Sequence, residues 1–167
     1  MKGNNVEVKE IVGFHLAQTL HAQGAIVALK MALAEHAYPQ QVIHHSDRGV
    51  QYCYHDFLDE IRTWNLQSSM TDADHCAQNA LAECMNGILK KEFLLDLGFR
   101  DFAEATTVID EAILTYNTLR IHGSLGSRTP AEVHQGTELG YLKNWLNQII
   151  SFEAPLPPRL NSSVYSI

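Results

Sequence analysis

The chain has 167 residues, 12 Lys+Arg against 19 Asp+Glu for a formal charge of -7, and 46% hydrophobic residues. That length suits one domain with a real core, and the ordinary apolar and charged fractions exclude collagen, coiled-coil and disordered classes. No segment is basic, which argues against a grip on nucleic acid by charge alone, and any DNA contact needs a metal ion or another domain to offset much of the repulsion.

The apolar stretches are broken by Lys30, Glu35 and Asp96, and none reaches the roughly 20 residues of a membrane span. The start, Met1 to Asn5 followed by Glu7, Lys9 and Glu10, has no apolar run of the secretory kind. Cys53, Cys76 and Cys84 are odd in number and lack CxxC spacing, which predicts reduced, mostly packing thiols. A cytoplasmic location is the expectation.

In chain order, residues 6–17 are rich in β-branched side chains and predict a strand. Residues 24–36 place Ile26, Leu29, Met31 and Leu33 at near-helical spacing, with Pro39 ending that helix. Residues 41–45 predict a short strand running into the polar loop Ser46-Asp47-Arg48-Gly49. Residues 55–64 predict a helix with Phe57, Leu58, Ile61 and Trp64 on one face, and Leu66 to Met70 a further short strand.

Residues 71–75 predict a loop, and 76–92 a helix buried along Leu81, Met85, Ile88 and Leu89. A long helix is predicted from Asp101, with Glu104 completing a capping box, to near Leu119. Thr129-Pro130-Ala131-Glu132 repeats that start signal for a short helix into His134. A last helix is expected over 138–150, carrying Leu139, Leu142, Trp145, Leu146 and Ile149, then an extended tail with Pro155, Pro157 and Pro158. Strands alternating with helices indicate an α/β fold with an at least partly parallel sheet, whose ligands sit beyond the strands' carboxyl ends. Asp47 is in such a place.

His44, His45, Asp47, His55, His75 and Cys76 raise the question of zinc. Nine scattered histidines without HExxH or CxxC/HxxxH spacing are more simply surface or satisfied core groups. The pair Asp47 and Glu83 is more informative, because two carboxylates across a cleft suit hard cations such as Mg²⁺, and two such ions clamp the oxygens of a phosphoryl transfer. Among nineteen acids most are solvated surface groups, so composition alone does not select this pair.

The surroundings of the pair select it. His44 to Tyr52, Ser69-Met70-Thr71, Asn79 to Glu83 and Leu89-Lys90-Lys91-Glu92 closely resemble the catalytic core of insertion-sequence transposases related to retroviral integrases. Thirty-five residues lie between Asp47 and Glu83, the family's spacing between its second and third catalytic acids. Tyr116-Asn117-Thr118-Leu119-Arg120-Ile121-His122 and Leu125 to Glu132 resemble its closing motif, and the likeness covers about residues 9–135.

The resemblance implies a ribonuclease-H-like mixed sheet flanked by helices, with extra C-terminal helices, and metal-dependent DNA cleavage and joining with Mg²⁺ or Mn²⁺. It implies Asp47 and Glu83 as catalytic, metal-binding acids, and Lys90, Arg48, Asn79 and Gln51 as DNA contacts, Arg48, Gln51, Tyr52 and Asn79 serving equally as support for the acidic loop. Lys90 stands seven positions after Glu83, about two helical turns, so both share a face. The implied partners are DNA, as transposon ends and target, and a second copy or a full-length transposase; no membrane partner is expected.

The family also uses a first aspartate on its first strand. Residues 1–46 contain none, only Glu7, Glu10 and Glu35 being acidic. The expectation is therefore an N-terminally truncated core over 1–135, lacking the first strand, with a C-terminal helix and tail over 136–167, and nearly inactive alone. The alternative is a non-catalytic remnant or regulatory module that pairs with intact transposase or binds DNA.

Overall fold

The computed structural model describes residues 9–19, 21–35, 42–71, 80–136 and 149–153. In chain order these form β1 (Gly13–Ala17), α1 (Ala22–Glu35), β2 (Ile43–Ser46), α2 (Val50–Cys53), α3 (His55–Thr63), β3 (Gln67–Met70), α4 (Ala80–Glu92), α5 (Phe102–Thr118), a 3-10 turn at Gly123–Leu125, α6 (Pro130–Gly136) and β4 (Ile149–Glu153). Both strand pairs are parallel: β1 with β4, and β2 with β3, the latter register setting His45 opposite Ser69 and Ser46 opposite Met70.

Two apolar clusters flank the strand that begins at Gly13. Ile11 and Leu16 pack with Met85 and Leu89 of α4 and with Ile109, Ile113 and Tyr116 of α5. Val12 packs with Ala25, Ile26, Ala28, Leu29 and Ala32 of α1 and with Phe57 and Ile61 of α3. Two separate groups of helices thus pack against this strand, in the α/β arrangement with parallel strand pairs that the alternation predicted.

The buried face of α1 is mostly alanine, and this lets β1 approach closely. A Cβ at Gly13 would stand 2.2 Å from the Ala28 carbonyl oxygen and 2.9 Å from the Ala32 Cβ. Glycine is required there by space. On α3, Phe57 and Ile61 are buried, while Trp64 is 47% exposed and caps the helix, donating its indole N–H to Glu60 Oε2 at 3.3 Å. Trp64 therefore leaves the predicted core face.

The start signals are confirmed with one change. The Asp101 carboxylate accepts from the Glu104 N–H at 2.8 Å, but the Glu104 carboxylate reaches the Arg100 N–H and guanidinium instead of the residue 101 amide. At α6 the box is complete: Glu132 accepts from the Thr129 N–H at 2.9 Å, and Thr129 Oγ1 accepts from the Glu132 N–H at 3.2 Å.

Two expectations are corrected. Of the strand predicted over 6–17, residues 6–8 lie outside the described residues, and among the described ones the ladder starts at Gly13, because the Asn117 side chain holds both backbone groups of Ile11: its Oδ1 accepts from the Ile11 N–H and its Nδ2 donates to the Ile11 carbonyl, each at 2.9 Å. Ile149 and Ile150, placed in a C-terminal helix by their spacing, belong to β4, where pairing with Gly13 and Phe14 decides the conformation. The remainder of that predicted helix, 138–148, and the tail from 154 lie outside the described residues, as do the loop at 72–75 and the start of the helix expected from 76.

Candidate active site

The acidic loop follows directly from the end of β2. Asp47 is half-buried, and its Oδ1 accepts from the Gly49 N–H at 2.8 Å, an Asx turn that sets the direction of the carboxylate. The next turn closes through the Tyr52 N–H to the Gly49 carbonyl at 3.0 Å and opens α2. A Cβ at Gly49 would come within 2.9 Å of Asp47 Oδ1 and 2.8 Å of the Gln51 amide, so the bare backbone makes room for both side chains.

The loop is tied to β3 on both sides of Asp47. The Thr71 N–H donates to the Ser46 carbonyl at 3.0 Å, and Arg48 Nε donates to the Thr71 carbonyl at 3.0 Å. Thr71 is buried and is the residue from which the chain leaves β3 toward α4.

Beneath the loop, the rings of His44, Tyr52 and Phe57 pack with centroids 5.2 to 5.7 Å apart. Burial lowers the His44 imidazole from its ordinary value to about 4, the neighbouring His45 acting in the same direction. Burial first, and then the Asp47 charge, push the Tyr52 phenol up to about 12, against a hydrogen bond with Gln51 that lowers it. The aromatic floor is thus neutral around neutral pH. His45 Nδ1 lies 3.0 Å from Ser69 Oγ across the strand pair, and the exposed His55 pairs with Asp56 at 2.8 Å.

Glu83 stands exposed in the first turn of α4, and Lys90 is half-buried in its last turn. Their face lies opposite Met85 and Leu89, and Gly87 between them has nothing within 4 Å of where a Cβ would be. Lys90 follows Glu83 by about 10 Å along the axis. Asn79 lies outside the described residues, as do His75 and Cys76. Among the described residues no group of three or more His, Cys, Asp or Glu could hold a metal ion. Asp47 and Glu83 are nevertheless hard oxygen donors of the type Mg²⁺ and Mn²⁺ select.

The motif at 116–122 proves to be a clasp between α4 and α5. Arg120 Nε and Nη2 each meet a Glu92 carboxylate oxygen at 2.6 Å, and Tyr116 packs edge-on against His122. The hydrogen bond from Arg120 holds the Glu92 carboxyl below its ordinary value; burial, then Arg120, lowers the His122 imidazole. The motif's spacing was visible in the sequence, but its partners were not.

A family model described as "Integrase core domain" matches residues 65–130. The chain is 38% identical over 123 residues to the "Insertion element IS600 uncharacterized 31 kDa protein" of Shigella sonnei, covering 73% of this chain and 45% of that protein. It is 33% identical over 126 residues to "Transposase InsF for insertion sequence IS3A" of Escherichia coli (strain K12), covering 74% and 43%. Similar solved structures are a chain of the simian T-cell lymphotropic virus intasome in complex with PP2A regulatory subunit B56 gamma (TM-score 0.60, 18% identity, 89% of this chain and 48% of that one) and the HTLV-2 integrase catalytic core domain in complex with magnesium (TM-score 0.51, 20%, 68% and 70%).

The fold is the ribonuclease-H-like one of the integrase catalytic cores, as the sequence predicted. Over the matched residues the chain is similar to transposase and integrase cores, and it spans 43 to 45% of the length of these two curated relatives. No helix among the described residues is long and apolar enough to cross a membrane.

Proposed function

We propose that this chain is core polypeptide of a protein that cuts and joins DNA in transposition, with Asp47 and Glu83 as metal-holding carboxylates and Lys90, Gln51 and Asn79 toward the DNA. The supporting observation is the double tie of the Asp47 loop to Thr71, which links one acid to the segment leading to the other. Divalent ions bound there would activate the attacking oxygen and neutralise charge building on the phosphate.

The chain's own residues then have defined tasks. Gly49 holds Asp47 through its amide, so the carboxylate is oriented before any ion arrives. The neutral His44 and Tyr52 floor keeps competing charge out of the loop. Lys90, on the Glu83 face of α4, offers an ammonium to a phosphate. The attacking group is water in cleavage and a DNA 3′-hydroxyl in joining. Residues 1–46 contain no aspartate to serve as the first of the family's acids, so little strand transfer is expected from these residues alone. Residues 1–135 are assigned to the core and 136–167 to a C-terminal appendage, anchored through β4.

The test is calorimetric titration of Mn²⁺ and Mg²⁺ into the chain and its Asp47→Asn and Glu83→Gln variants, with thermal melting alongside. Saturable binding that both substitutions abolish is expected. No binding by a cooperatively melting chain would transfer the assignment to a non-catalytic module.

A further inference from the structure

Arg48 carries a charge that suits a phosphate, but its hydrogen bonding serves the loop. Thr71 is bracketed by the two neighbours of Asp47: its N–H bonds to the Ser46 carbonyl and its carbonyl accepts from Arg48 Nε, both at 3.0 Å. With Thr71 buried and the Asp47 carboxylate held by Gly49, a loop of three residues is fixed at the strand end, at the chain and at the acid. Removing the Arg48 bond frees one of these anchors and leaves the Thr71 carbonyl short of a partner.

We infer that Arg48 is a positioning residue for Asp47, contributing a donor at Nε, its charge being incidental. The inference rests on the reading of Asp47 as a metal-holding acid, but the order of the loop itself can be measured without any metal. Glutamine separates donor from charge: its amide nitrogen is attached to Cδ, as Arg Nε is, whereas the ammonium of lysine lies one bond farther along.

The experiment compares the full chain with Arg48→Gln and Arg48→Lys. It reads amide hydrogen exchange at Tyr52 and Thr71 without metal, Mn²⁺ affinity by calorimetry, and binding to a random-sequence DNA duplex against salt. Arg48→Lys is expected to speed exchange and weaken Mn²⁺ binding by about fivefold, the factor for one net hydrogen bond, with DNA binding unchanged. Arg48→Gln is expected to keep both near the parent values.

Unchanged exchange in both variants would overturn the inference, and so would equal loosening in both. Loss of DNA affinity in Arg48→Gln alone, with a salt slope lower by about one, would identify a phosphate contact instead. If the parent chain takes up no Mn²⁺, or Asp47→Asn takes it up equally, the acid-site reading fails and the exchange data alone decide the role of Arg48.

Discussion

The Arg120 guanidinium meets both carboxylate oxygens of Glu92 at 2.6 Å, joining the last residue of α4 to the chain just beyond α5. Two motifs separated by 28 positions thereby become one clasp. The side chains are 23% and 50% exposed, so solvent screening limits the pair to roughly 0.5 to 1 kcal/mol despite its two-fold geometry. Arg120→Lys, which loses the fork, is expected to lower stability in urea by about that amount at pH 7. Since Arg120 lowers the Glu92 carboxyl, the contribution is present above the ordinary carboxylate value and is lost as pH falls through the folded one. Melts of parent and variant should converge as pH falls through and below the carboxylate range; a difference that stays constant throughout the acid titration would refute the pairing.

His44 gives a second acid-side effect, in another window. Its imidazole takes a proton near pH 6.5 when unfolded but only near pH 4 when buried against Tyr52 and Phe57. The unfolded chain binds more protons between those values, so stability falls as pH drops from about 6.5 to 4 and levels off below. The loss is on the order of 3 kcal/mol at 1.36 kcal/mol per unit. Denaturation curves of His44→Phe across this range should be flatter than those of the parent, and parallel curves would count against a buried neutral His44.

Asn117 is expected to matter for folding more than for chemistry. Its amide substitutes for a neighbouring strand at Ile11, satisfying one donor and one acceptor at 2.9 Å. Asn117→Ala strands both groups and should remove about 1 to 3 kcal/mol. Asn117→Asp keeps the acceptor but sets a carboxylate against the Ile11 carbonyl, and should be at least as damaging. Urea midpoints for the pair provide the check.

Gly87 poses stability against access. A mid-helix glycine weakens α4 by roughly 0.5 to 1 kcal/mol relative to alanine, and the space above it is open. Gly87→Ala should therefore raise the melting temperature. If DNA lies along the face shared by Glu83 and Lys90, the same substitution, and Gly87→Leu more strongly, should weaken duplex binding. A more stable variant with unchanged DNA affinity would move the DNA path off this face.

Much of this protein could be read from its residues because the relevant signals are local. The caps at Asp101 and Thr129 involve groups within three positions: the Thr129 box forms as predicted, and Asp101 caps its helix although Glu104 turns to Arg100. The stripe through Met85 and Leu89 follows helical periodicity, and both are buried. The run of motifs around Asp47 and Glu83 pointed to the integrase-type core by family resemblance, and a model of that core matches residues 65–130.

Other features depend on groups far apart in the chain. Ile149 and Ile150 fit a helical pattern, yet pair with Gly13 and Phe14, since a short apolar run takes whichever backbone partner the fold supplies. Residues 50–53, Val-Gln-Tyr-Cys, favour strand by composition, but the turn closed at Gly49 starts a helix. Trp64 fits the apolar face of α3 by periodicity, but the helix ends at Thr63 and the ring stays half exposed. Sequence alone indicated the fold class and the helix starts, and through the family resemblance it named Asp47 and Glu83 as candidate acids. Only the tertiary structure decided what Asn117, Arg120 and Arg48 do, because their backbone or carboxylate partners lie 23 to 106 positions away and side-chain type does not encode them.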